Sequence, residues 1–153
     1  MFLTAHALTA AVLVDRLGVH STLWALVIGF CSHFVLDAIP HGDEGLDKGK
    51  GFVRVLWTWA LADGLVLTAM LFLLLPRVPW ILSLPVLAAM VGSIVPDALQ
   101  AVHHLVLPLS RYMRFHHRCH EYFGKRIGIR YGLLLQGGLV MILLTLFILT
   151  PSA

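Results

Sequence analysis

Apolar residues run along this chain in five stretches separated by short polar breaks. The first, residues 2 to 14, holds about 13 residues, short of the roughly 20 that a membrane-crossing helix needs, so it is expected to be tilted, partly re-entrant or packed against its neighbours. Asp15, Arg16 and Gly18 end it. The second helix is predicted from Ser21 to Ala38, with Pro40 stopping it and GDEGLDKGKG, residues 42 to 51, supplying a polar turn. The third runs from Phe52 to Leu75, interrupted by a single acid, Asp63, and stopped at Pro76. A PRVPW turn leads to the fourth, from Trp80 to Leu107, which contains Pro85 and Pro96. Pro96 stands directly before Asp97, so a local opening of the helix is expected there. The fifth runs from Tyr131 to Thr150, with Gln136 as its only strongly polar member. The pattern predicts an all-α fold, a polytopic integral membrane bundle of about five helices in one domain over residues 1 to 153.

Composition narrows this further. The chain is 59% hydrophobic and 12% charged, with a mean hydropathy of +0.87, which leaves too little polar surface for a soluble domain. Six of the eleven Lys and Arg residues fall between positions 111 and 130. Such density is expected to stay cytoplasmic and to lie against anionic headgroups. Alternation then puts the N-terminus and the loop with Lys48 and Lys50 on the same side, in a bacterial or archaeal inner membrane. Nucleic acid is not an expected partner, because no aromatic platform accompanies the basic residues. Cys31 and Cys119 read as free thiols. MFLTAHALTAAVLVDR lacks the positive start of a signal peptide and reads as a retained first helix.

Ionisable groups inside a bilayer cost at least a few kcal/mol each, which makes intramembrane His and Asp candidates for function. His6 lies in the first helix, His33 and Asp37 in the second, Asp63 in the third and Asp97 in the fourth. His33 and Asp37 share a helical face one turn apart, and Asp97, Gln100 and His104 follow one stripe. The orientation assigned from loop charges brings His6, His33, Asp37, Asp63 and Asp97 into the same half of the membrane; Asp63, for example, lies about 14 Å beyond Arg54 at 1.5 Å per residue. FHHRCH adds His116, His117 and His120 on that side, and His41 and Asp43 follow the second helix.

Mixed imidazoles and carboxylates suit Zn²⁺ best, with Mn or Fe as further options, as one ion or two. The expected ligands are His6, His33, Asp37, Asp63 and Asp97, with His104 as an additional or supporting one. His41, His116, His117 and His120 would serve as general acid, base or phosphate donors, with Asp43 orienting one of them. The expected activity is hydrolysis of a lipid or lipid-linked ester, a phosphoester by preference, through metal-activated water. Blander roles compete with these. A lone His in an apolar helix is usually a packing residue, His20 and His103 read as interfacial or structural, and the FHHRCH histidines could face headgroups on an amphipathic stretch. A proton- or metal-ion transporter would use the same groups as a relay, and a haem-binding electron-transfer protein would also place histidines on facing helices.

TAHALTAA, SHFVLDAIPH, GSIVPD and the following HH cluster resemble the LexA-regulated, YdjM-like family of membrane-bound metal-dependent hydrolases. The resemblance implies a polytopic membrane hydrolase with its metal held by His6, His33, Asp37 and Asp97. The chain departs from the family pattern in placing the Ser-His motif before the Pro-Asp motif. It also has FHHRCH where many members carry a His-Arg-Gly-x-Thr-His-Ser segment.

Overall fold

A computed structural model describes residues 2–40, 52–105, 109–123 and 127–149. Six α-helices and no strand occur among them: α1 Leu3–Arg16, α2 Thr22–Asp37, α3 Phe52–Leu74, α4 Leu84–Leu105, α5 Ser110–Phe123 and α6 Ile129–Leu149. His41 and Asp43 lie outside the described residues, as do the side chains of His104 and His120.

The short first helix is the centre of the bundle. Thr4 through Leu8 are buried without interruption, then Ala10 to Val12 and Val14, so α1 has no exposed face over most of its length. Four alanines on it, Ala5, Ala7, Ala10 and Ala11, let α2, α3, α4 and α6 approach closely. Burial on every side also explains why 14 residues suffice, because packing rather than span length sets the helix. It ends in a Schellman turn: Gly18 takes φ +59, Val19 N–H donates to the Val14 carbonyl and Gly18 N–H to that of Asp15.

The closest helix pair is α2 with α4. Gly29 sits against the Ala89 backbone and Gly92 against the Leu26 backbone, and a Cβ at either would collide with a carbonyl oxygen. Beside this crossing the missing side chain of Gly92 helps form an apolar cleft of about 150 Å³, lined by Leu26, Val27, Phe30, Gly92 and Val95. Buried Ser32 and Ser93 return their hydroxyls to carbonyls three residues back, which leaves neither donor orphaned.

Two differences from the predicted elements have plain causes. The fourth helix begins at Leu84 rather than Trp80, because Pro79–Leu82 forms a separate 3₁₀ turn; Pro85 then falls in the first turn of α4, where its missing N–H needs no partner. α4 runs through Pro96 without a break. The basic segment expected as a loop contains α5, which carries no long apolar run because only one of its faces is buried, through Met113 and His116.

α3 and α6 form the periphery. The segments Trp57–Leu74 and Ile129–Leu149 are long and apolar enough to cross a membrane by length and composition. Their outward residues are apolar too, with Leu65 and Leu134 both 72% exposed, a surface suited to lipid rather than water. Gly29→Val is expected to lower stability by about 3 kcal/mol through collision with the α4 backbone. Gly138→Ala, which meets open space, should leave the thermal midpoint in detergent unchanged or slightly raised, as followed by circular dichroism.

Candidate functional site

Polar side chains from four helices converge at one end of the α1–α2–α4 core. The i, i+4 register of α2 points His33 and Asp37 the same way, and α1 lays His6 beside them with the two imidazoles stacked at 4.2 Å. The Asp37 carboxylate reaches both rings, Oδ1 at 3.2 Å from His6 Nε2 and Oδ2 at 3.0 Å from His33 Nε2. From α4, Asp97 Oδ1 comes within 3.8 Å of His33 Nε2, and from α5 His116 Nε2 comes within 3.4 Å of the same atom. His6, His33, Asp37 and His116 are buried, whereas Asp97 stays partly exposed.

The orientation of His33 is set from behind. Its Nδ1 lies 2.9 Å from the backbone carbonyl of Ser93, which can only accept, so Nδ1 carries the hydrogen and donates. In the neutral ring Nε2 therefore presents a bare lone pair toward Asp37, Asp97 and His116. Lone pairs of carboxylates and imidazoles at such separations repel unless positive charge sits between them, as a proton or a cation. His6 repeats the point. Neither of its nitrogens makes a directed hydrogen bond among the described residues, although the ring is fully buried. Two sets of three donors, His6 with His33 and Asp97, and His33 with Asp37 and His116, bring their ligating atoms within 4.8 Å of one another. Three imidazoles and two carboxylates match the donors that Zn²⁺, Mn²⁺ or iron accept, and a backbone carbonyl behind a ligating His is a common supporting contact.

α5 is seated by its aromatic residues. The Tyr112 hydroxyl donates to the Pro96 carbonyl at 2.9 Å, and its ring lies 5.8 Å from that of His116. Burial, together with the charges of Asp97 and Asp37, pushes the Tyr112 phenol up, which keeps it a donor. Phe34 of α2 meets Phe115 edge-on at 5.4 Å and His116 at 5.9 Å.

The expected site residues thus separate. His6, His33, Asp37 and Asp97 come together, and His116, expected as a catalytic group at the mouth, joins them as a fifth converging donor. Asp63, expected among the ligands, belongs to neither set. Its carboxylate accepts the Thr4 N–H at 3.0 Å and the Thr4 hydroxyl at 2.6 Å, serving the first turn of α1, whose amides have no partner within the helix. Gln136 does the same from α6, accepting the Phe2 N–H at 2.7 Å. The conspicuous polar interruptions of the two most apolar helices are therefore both spent on one helix end. His117 is exposed on the outer side of α5, away from the buried donors. His103 Nδ1 accepts the Leu109 N–H at 2.7 Å, a structural role. Ser93 and Tyr112 were not legible as site residues. Ser93 acts through its backbone carbonyl, which any residue could supply, and the only hint for Tyr112 is its i, i+4 spacing to His116.

Comparison with protein-family models, curated proteins and solved structures finds no match. Asp63→Ala is expected to cost about 1–3 kcal/mol of stability by orphaning the Thr4 amide and hydroxyl. The metal content per folded molecule should stay at the wild-type value, as read by elemental analysis after gel filtration.

Proposed function

We propose that this chain is a membrane-embedded, metal-dependent hydrolase acting on a lipid or lipid-linked ester, with a phosphoester favoured. The observation that carries the reading is the convergence of three imidazoles and two carboxylates from four helices around His33 Nε2, with the Ser93 carbonyl holding that ring in the ligating tautomer. The motif resemblance to the YdjM-like hydrolases points the same way.

In this reading α3 and α6 cross the membrane, the shorter apolar helices α2 and α4 complete a polytopic bundle around α1, and the basic α5 lies at the cytoplasmic surface of a bacterial or archaeal inner membrane. His33, Asp37, His6, Asp97 and His116 supply the ligands for one or two ions, Zn²⁺ foremost. A divalent cation held there supplies Lewis acidity, acidifying water and polarising a phosphoryl or acyl oxygen. Five donors exceed the three protein ligands usual at a catalytic zinc, so the set has a group to spare for proton transfer. Asp97 suits that task when a single ion is held by the other donors, since it is the member with outside access and lies 3.8 Å from His33 Nε2. Asp37, buried between His6 and His33, lies within ion-pair distance of both rings. His117 faces the headgroups, and the proton-donor roles expected of His41 and His120 fall on side chains outside the described set.

The apolar cleft between α2 and α4 supports a lipid over a water-soluble ester. Phe30 is three residues from His33 and Val95 two from Asp97, so the cleft, wide enough for part of an acyl chain, lies on the same helices that carry the cluster. Transport fits less well: past His6 the interior is built from Leu8, Ala11, Val14, Ile81 and Val86, which gives an ion no continuous polar path among the described residues. A haem does not fit between His6 and His33, whose rings already stack on each other.

The double variant His33→Ala with Asp37→Ala is expected to lose bound metal at least tenfold relative to wild type, whereas His117→Ala keeps it, measured by elemental analysis of detergent-purified protein. Turnover of lipid phosphates or esters should stop on adding chelator and return with Zn²⁺. Unchanged metal in the double variant, or chelator-insensitive turnover, counts against the reading.

A further inference from the structure

We propose that α5 couples the metal-binding cluster to anionic phospholipid, its inner face supplying His116 and its outer face docking on the headgroup layer. The inference rests on the metal reading of the cluster and concerns how that site is regulated.

The helix has two sharply different sides. Met113 and His116 are buried against the bundle, with Tyr112 and Cys119 half-buried beside them. Arg111, Arg114, His117 and Arg118 are exposed, and none of the three guanidinium groups forms an ion pair with another described residue. Arg111, Arg114 and Arg118 follow i, i+3, i+7 and so line one stripe, and Phe115 stands 53% exposed next to it. A row of cations with an aromatic at its margin is complementary to anionic headgroups, which the outward apolar faces of α3 and α6 place around this chain. Nucleic acid would need several stacking platforms, and the stripe has one aromatic.

The seat of α5 on the bundle is light. Among the described residues it packs mainly on α2 and α4, through the Tyr112 hydrogen bond, the Phe34–Phe115 edge contact and His116 itself. An ion on His33, Asp37 and His116 and a lipid layer on the arginines therefore favour the same position of the helix from opposite sides. Two ligands that stabilise one state must each strengthen the other.

The test uses the full chain in nanodiscs of phosphatidylcholine alone or with a third phosphatidylglycerol, with Zn²⁺ affinity measured against a fluorescent chelator. Wild type should bind Zn²⁺ about fivefold or more tightly in the anionic discs. The variant Arg111→Gln/Arg114→Gln/Arg118→Gln should bind equally in both, at the wild-type phosphatidylcholine value, and high salt should erase the wild-type difference. Equal wild-type affinities in the two discs, or a lipid effect that survives in the triple variant, overturns the coupling. A second measurement keeps the failures apart. The ratio of phosphatidylglycerol to phosphatidylcholine co-purified from mixed bilayers with chelator present throughout, so that no protein carries metal, should fall in the triple variant and stay at the wild-type value in His33→Ala. An unchanged ratio in the triple variant removes the lipid surface whatever the metal does, and arginine-dependent binding of an oligonucleotide without lipid enrichment reassigns it. If His33→Ala leaves Zn²⁺ binding intact while the ratio still responds to the arginines, the metal reading fails instead.

Discussion

The structure depends on burying a short helix end-on. α1 is enclosed by four neighbours, and its N-terminal amides would be left without partners in an apolar interior, where an unpaired backbone donor is expensive. Asp63 on α3 and Gln136 on α6 resolve that problem by accepting from Thr4 and Phe2. Once those bonds hold the start of α1, His6 is carried one turn inward to stack on His33. The same constraint explains the alanine-rich sequence of α1, since a helix packed on all sides has no room for large side chains everywhere.

The cluster is a product of register in two helices and contact among four. His33 and Asp37 share a face by the 3.6-residue period alone, but the direction of the His33 ring is decided by a carbonyl on α4, brought near because Gly29 and Gly92 let α2 and α4 touch backbone to backbone. Packing thus sets the tautomer, and the tautomer turns Nε2 toward Asp37 and His116, where a proton or a cation can sit between them. Among the described residues the rest of the interior is mostly apolar or holds neutral, hydrogen-bonded groups, so the electrostatic demand is greatest here, where two carboxylates and three imidazoles meet.

α5 changes the character of the site. A basic segment between two apolar helices would ordinarily be a solvated connection, yet folding it into an amphipathic helix delivers a buried imidazole on one side and leaves guanidinium groups on the other. The exposed guanidinium groups and the buried cluster are then separated by the thickness of one helix. The apolar cleft between α2 and α4 ends at Val95, two residues before the partly exposed Asp97.

The local pattern alone determined the helical class and the extents of α1, α2, α3 and α6 to within a few residues, because sustained apolar runs bounded by Gly, Pro and charge leave few alternatives. It also picked out His6, His33, Asp37 and Asp97, since an ionisable group in an apolar run is conspicuous wherever the chain folds. The fate of each such group was another matter. Asp63 and Asp97 look alike in sequence, one acid in a long apolar stretch, but one lies beside the N-terminus of a buried helix and the other beside His33. His116 and His117 are adjacent and chemically identical, yet a step of about 100° around α5 buries the first in the cluster and exposes the second. Ser93 contributes a backbone carbonyl that no side-chain pattern encodes. Those assignments depend on which helices touch and at what rotation, a property of the packed bundle and not of any one segment.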